Sequence, residues 1–237
     1  MSAKPQIIAI GGAGLFLDPG NPPLQRYILR QTRSRNPKIC FIPTATGDNS
    51  IYVAQFYSTF SKLRCRPTHL PFFERAPNIP DLLLSQDLIY VAGGNTKSML
   101  AIWREWQLPK LLRQAWSSGT VLAGVSAGAI CWFEMGVTDS WADRLMPLPC
   151  LGWLSNACCP HYDSEKDRRP STHALVKRGA LPETLALEDG AAAHFVGRKL
   201  LRIVSARPGA GAYRIRKQGN GVIETPLPIT TLPGRSS

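Results

Sequence analysis

VLAGVSAGAICWF, Val121 to Phe133, climbs through small and apolar residues to one hydroxyl, Ser126, boxed between Gly124 and Gly128. The run before the serine reads as a buried strand, and the run after it as the start of a helix. G-x-S-x-G at a strand-to-helix junction is the context in which that motif carries chemistry. A sharp turn throws the hydroxyl clear of the backbone, and flanking glycines avoid side-chain clashes at the corner. The N–H of Ala127 would then lie at a helix start, facing any oxyanion that develops beside Ser126. Small-residue turns also arise for packing alone, so the motif leaves two readings open: a structural turn or a nucleophile.

Outward from this stretch, short apolar runs alternate with amphipathic segments, the pattern of βαβ units around a mostly parallel sheet. QIIAI, KICFI, LIYVA and TVLAGV read as strands. LQRYILRQTR, YVAQFYSTFSKL, TKSMLAIWREW and LPKLLRQAWSSG read as helices, the last stopped by Gly119. The expected fold is α/β, a three-layer sandwich around a mostly parallel sheet, in one domain spanning residues 1–237. After residue 135 the texture turns rich in Gly, Pro, Trp and Cys and reads as a long irregular excursion. TLALEDG, AAAHFVG, KLLRIVS and GAYRIRKQG then give an antiparallel finish, and the last ~8 residues are expected to be poorly ordered.

A serine nucleophile needs a base in hydrogen-bond reach and an acid to orient that base. The chain has four histidines, at positions 69, 161, 173 and 194. His161, in CCPHYDSE, follows a proline in the irregular region downstream of Ser126. His69 and His194 sit in strand-like runs, and His173 on an exposed helix. For the acid, ALEDGAA puts Glu188 and Asp189 at a strand end; adjacent carboxylates point apart on extended chain, so one at most faces the histidine. The order Ser, His, Asp departs from the Ser, Asp, His order of α/β-hydrolases, which disfavours an ordinary esterase. YVAGGNT ends another buried strand with Gly93 and Gly94 before Asn95, an N-cap candidate. Glycines at the carboxyl edge of a parallel sheet are a ligand-binding position, where a bare N–H is available as a second oxyanion donor.

Composition bounds the rest. Hydrophobic residues make up 44% of the 237 and charged residues 19%, the balance of a globular chain with a full core. No apolar run reaches the ~18 residues of a membrane span, and the N-terminus lacks a secretory h-region, so a cytoplasmic location is expected. Cys40, Cys65, Cys131, Cys150, Cys158 and Cys159 include no C-x-x-C pair and read as free thiols rather than disulfides or a metal site. No metal and no cofactor are expected. The net charge of +12 is scattered, without a finger, tail or aromatic-rich basic strand, so nucleic acid is not expected as a partner. An attraction for acidic substrates is what remains of it.

Together AGGNT, LAGVSAGAICWFE, CPHYDSE and LEDGAA, in this order, resemble the peptidase E (aspartyl dipeptidase) family of serine peptidases, which includes cyanophycinases. The likeness runs from IIAIGG through FIPTATGD to RPGAGAYRI, nearly the whole chain. It implies a class I glutamine amidotransferase-like fold with serine in place of the amidotransferase cysteine. It implies Ser126 as nucleophile, His161 as base, and Asp189, directly before a glycine, as the acid, with Glu188 the alternative. Gly94 and Ala127 match the oxyanion donors. Arg168 and Arg169 occupy the region where the family's aspartyl dipeptidases hold the substrate's acidic side chain, in a shorter loop; Asn95 is a further substrate-binding candidate. Asp139 falls where the family has an acidic residue near the site. Three functions follow as expectations: a dipeptidase for N-terminal Asp, a cyanophycinase-like exopeptidase for β-aspartyl-arginine, or a binding module with a vestigial site. The partner expected is a small peptide; a homodimer is left open.

Overall fold

In the first strand Ile7 and Ala9 enter one core while Ile8 and Ile10 enter another, so a continuous apolar run is a strand covered on both faces. A computed structural model describes residues 4–13, 22–75 and 77–234. In chain order the elements are β1 (Gln6–Ile10), α1 (Pro23–Leu29), β2 (Lys38–Ile42), α2 (Ser50–Phe60), β3 (Arg66–His69), α3 (Ile79–Leu84), β4 (Leu88–Val91), α4 (Thr96–Glu105), α5 (Leu108–Ser118) and β5 (Val121–Val125). They continue with α6 (Ala127–Ile130), β6 (Phe133–Thr138), β7 (Met146–Pro149), β8 (Leu154–Cys159), α7 (Arg168–Lys177), β9 (Thr184–Leu187) and β10 (Ala191–Val196). β11 (Lys199–Ser205), β12 (Ala212–Gln218), β13 (Gly221–Pro226) and β14 (Ile229–Thr231) complete the chain.

The main sheet has the order β14-β11-β10-β1-β5-β4-β2-β3. The five strands from β1 to β3 in that order are mutually parallel, and β10 joins β1 antiparallel. On one face Leu24 and Ile28 of α1 and Phe56 and Phe60 of α2 pack on Ile8, Phe41 and Tyr90. On the other, α3, α4, α5 and α6 bury Leu83, Trp103, Leu112 and Ile130 against Ile7, Ile42 and Leu122. Burying each such side chain fully is worth about 1.5–3 kcal/mol. The sandwich expected from the sequence is thus present.

The region after residue 135 departs from expectation. Instead of an irregular excursion it holds β6, β7 and β8, part of a second sheet ordered β13-β12-β9-β8-β6-β7. Phe133, Leu154 and Cys158 share the core with α4 and α5, while Leu175 and Val176 of α7 cover the other side with Val137 and Ile215. The helix begun by AGAICWFE stops after a single turn at Ile130, because Phe133 already belongs to β6. Of the last ~8 residues, Thr230 and Thr231 belong to β14, which runs parallel to β11 through Ile203↔Ile229, and residues 235–237 lie outside the described ones. Among the described residues no helix is long and apolar enough to cross a membrane, and all six cysteines are free.

Candidate active site

Ser126 joins β5 to α6 with φ 54° and ψ −110°, a conformation that L-residues seldom occupy. Such a residue costs about 1–3 kcal/mol and persists only where its surroundings over-determine it. They do so here. Its N–H donates to the Ile10 carbonyl at 3.0 Å, and its carbonyl accepts from Ala129 and Ile130 at 2.9 and 3.0 Å. Gly124 lies directly beneath the Gly128 backbone and Gly128 beneath that of Val91, so a methyl group at either would drive the elbow off β4. The two glycines of G-x-S-x-G are therefore required by contact.

The end of β1 gathers the other candidates. Three consecutive carbonyls each dock one segment: Ile10 takes the Ser126 N–H, Gly11 takes His161 N–H at 3.2 Å, and Gly12 takes Gly190 N–H at 3.1 Å. His161 has φ 52°, a second non-glycine residue held in the left-handed region. Its Nδ1 lies 2.9 Å from Asp189 Oδ1, with both side chains about one-fifth exposed. Gly12 packs so closely that any Cβ there would overlap both Asp189 Oδ1 and His161 Nδ1. Burial raises the Asp189 carboxyl, but the hydrogen bond and charge of His161, a hydrogen bond from Ser164 and the charge of Arg207 outweigh it. Its pKa therefore lies below the ordinary carboxylate value.

Gly93 faces the same elbow: a Cβ built on it would sit 3.2 Å from Ser126 Cβ and 3.8 Å from Oγ. Gly94 follows with φ 131°, against the Ala45 carbonyl. Among the described residues neither the Gly94 N–H nor the Ala127 N–H meets an acceptor.

Three expected site residues have side chains engaged with other partners. Glu188 turns away from His161 and accepts from Gly211 N–H at 2.6 Å and from Tyr213 hydroxyl at 3.1 Å, so it is not the acid on the histidine. Arg168 is buried: its Nε donates to Glu165 at 2.7 Å and its Nη1 to the Val137 carbonyl at 2.8 Å, which leaves it no freedom to meet a substrate. Asn95 uses both ends of its amide, Oδ1 capping α4 through Ser98 N–H and Nδ2 donating to the Ser140 carbonyl, each at 2.9 Å. Arg169 is 46% exposed; it pairs with Glu224 at 3.0 Å and lies over the Tyr162 and Tyr213 rings. Asp139 lines an open recess together with Ser164.

The residues that fix Asp189 escaped the sequence reading. Asp163 Oδ1 accepts the Asp189 N–H at 2.9 Å, and Arg207 Nε donates to the Asp189 carbonyl at 2.8 Å. Asp163 had a usable signal, two residues after the candidate base in HYDSE. Arg207 had only its place at the head of RPGAGAYRI, the last stretch of the family likeness, which does not tell which of 28 basic residues reaches the site. Among the described residues no group of three or more His, Cys, Asp or Glu is disposed to hold a metal ion.

Comparison with known proteins bears on the family and the fold. The chain is 48% identical to the uncharacterized peptidase YgaJ of Bacillus subtilis (strain 168) over 228 residues, 96% of this chain and 99% of that one. Its fold is similar to the crystal structure of a peptidase from an acI-B1 Actinobacterium, with TM-score 0.73 at 17% identity, covering 99% and 97% of the two chains. It is also similar to a provisionally assigned peptidase E protein from Listeria monocytogenes EGD-e, with TM-score 0.61 at 18% identity, covering 95% and 100%. The profile of Peptidase family S51 matches residues 7–203. With that match over most of its length, and the close peptidase relative beside it, the chain belongs to Peptidase family S51 and is a peptidase.

Proposed function

We propose that the chain is a serine-type dipeptidase in which Ser126, His161 and Asp189 form a catalytic triad. The observation that carries this reading is the β1 end, whose successive carbonyls hold the serine turn, the histidine and the turn of the acid together. Ser126 Oγ attacks the scissile carbonyl carbon as His161 Nε2 takes its proton; Asp189, on Nδ1, fixes the tautomer and stabilises the imidazolium. The N–H groups of Gly94 and Ala127 receive the oxyanion. His161 then passes its proton to the leaving amine, and water, deprotonated by the same histidine, hydrolyses the acyl-enzyme. No step calls for a metal or cofactor.

The substrate we infer is a short peptide, foremost a dipeptide with N-terminal Asp, drawn in by the net charge of +12. Of the two arginines considered for its carboxylate, Arg169 is the one with an exposed guanidinium. A second reading, β-aspartyl-arginine, is favoured by a specific feature. An open recess of about 500 Å³ beside Ser164 is lined by Asp139, Asp143, Glu165 and Asp167 against Arg144 and Lys166, an acidic balance suited to a cationic leaving residue. Hydrolysis of Asp-Leu and β-Asp-Arg side by side tests both. Preference for Asp-Leu supports the first, preference for β-Asp-Arg supports the second, and cleavage of neither overturns the substrate assignment.

A further inference from the structure

Arg207 reaches the candidate site from the segment after β11, and its own position is fixed before its side chain is used. Ser205 Oγ accepts the Arg207 N–H at 3.1 Å and donates to its carbonyl at 2.6 Å, while Ala206 N–H donates to the Gly190 carbonyl at 2.9 Å. The guanidinium then grips the turn carrying Asp189. Nε donates to the Asp189 carbonyl at 2.8 Å; Nη2 donates to Asp163 Oδ2 and lies 3.7 Å from Glu188 Oε2. Asp163 closes the loop by accepting the Asp189 N–H through its other oxygen. Both backbone polar groups of Asp189 are thus held by one ion pair, whose planar fork a lysine could not reproduce.

We propose that Arg207 is a positioning residue, which with Asp163 sets the direction of the Asp189 carboxylate toward His161. Two features separate this from ordinary surface pairing. The hydrogen bonds from Arg207 Nε and to Asp163 Oδ1 fall on the backbone of the very residue bonded to His161. And the adjoining Glu188, 3.7 Å from the same guanidinium, is held by Gly211 N–H and Tyr213 hydroxyl, so of the two neighbouring acids only Asp189 is both gripped through its backbone and bonded to the histidine.

The proposal rests on the reading of His161 as the base, and its test separates the two. In the full-length protein, the His161 Nδ1 proton bonded to Asp189 gives a downfield NMR resonance that needs no substrate. Arg207→Ala is expected to broaden or erase that resonance and to lower kcat on the cleaved dipeptide on the order of 10- to 100-fold. KM should move by no more than about threefold, the signature of lost positioning rather than lost binding. Added guanidinium ion should restore part of the rate, and Arg207→Lys should fall short of wild type. A folded Arg207→Ala protein with an unchanged resonance and kcat within about threefold of wild type overturns the proposal. Should Arg207→Ala fail to fold, Asp163→Asn removes the ion pair while keeping an acceptor for the Asp189 N–H. A weakened resonance and rate support the clamp, and unchanged values overturn it. Absence of both resonance and activity in wild type would instead bring down the triad itself.

Discussion

At the scale of single residues, the proposed site is set by contacts that leave no room for one more atom. A methyl group on Gly12 would overlap the His161–Asp189 pair, so Gly12→Ala must push the two apart. We expect on the order of 100-fold slower reaction from that displacement, with overpacking costing about 1–3 kcal/mol; dipeptide kinetics and thermal melting measure the two. Asp189→Asn keeps the shape but offers His161 the wrong partner, and kcat should fall about 10⁴-fold, as for other triads. Glu188→Gln, whose carboxylate faces Gly211 and Tyr213, should remain within about tenfold of wild type; an equal loss in both variants would contradict the choice of acid. Ser126 and His161 were legible because a glycine box and a loop histidine each carry a local signal, whereas the choice of Asp189 over Glu188 came only with the family resemblance, since two adjacent carboxylates look alike locally. Arg207 and Asp163 were not legible, because their importance arises only from the folding of distant segments onto one turn.

At the scale of elements, β1 is the organiser: its alternating side chains separate two cores while its terminal carbonyls dock three segments. The strands and helices with a clean period were readable up to β5. Of the second sheet, β9 and β12 were readable in TLALEDG and GAYRIRKQG, but β6, β7 and β8 were not, since β7 is a Pro-containing edge strand and β8 carries Ser, Asn and two Cys in place of a clean apolar alternation. α7 likewise recast Arg168 from ligand to packing residue by turning it inward. The seam between β10, β1 and α1 carries a pH-sensitive contact. Buried His194 bonds Tyr27 hydroxyl through Nδ1 at 2.7 Å and Gln6 Oε1 through Nε2 at 2.8 Å. Burial, with the charge of Arg202, pushes its pKa down to about 4. The unfolded chain therefore binds a proton here that the folded one refuses. This stability is complete above about pH 6.5 and is lost as the pH falls toward 4, by roughly 3 kcal/mol in all. His194→Gln should flatten the melting-temperature profile over that window, and an unaltered profile would show that the acid sensitivity lies elsewhere.

At the scale of the whole molecule, the +12 charge matters through its field rather than through any one contact. Capture of an N-terminal Asp dipeptide should weaken with salt: kcat/KM should drop several-fold between about 0.01 and 0.15 M ionic strength, as the Debye length shrinks from about 30 to 8 Å. A neutral dipeptide should be nearly unaffected; equal responses would remove charge steering from the account. The broad architecture was legible in composition and alternation, while the pairing of two sheets through a shared core was not, because it depends on contacts between residues as far apart as Phe133 and Phe195. All of this positions one hydroxyl at a strained corner. The most direct test of it is labelling by a fluorophosphonate probe, read by mass spectrometry of the intact and digested protein. The account predicts a single adduct on Ser126 and none in Ser126→Ala; an unlabelled wild-type protein, or equal labelling of the variant, would contradict it.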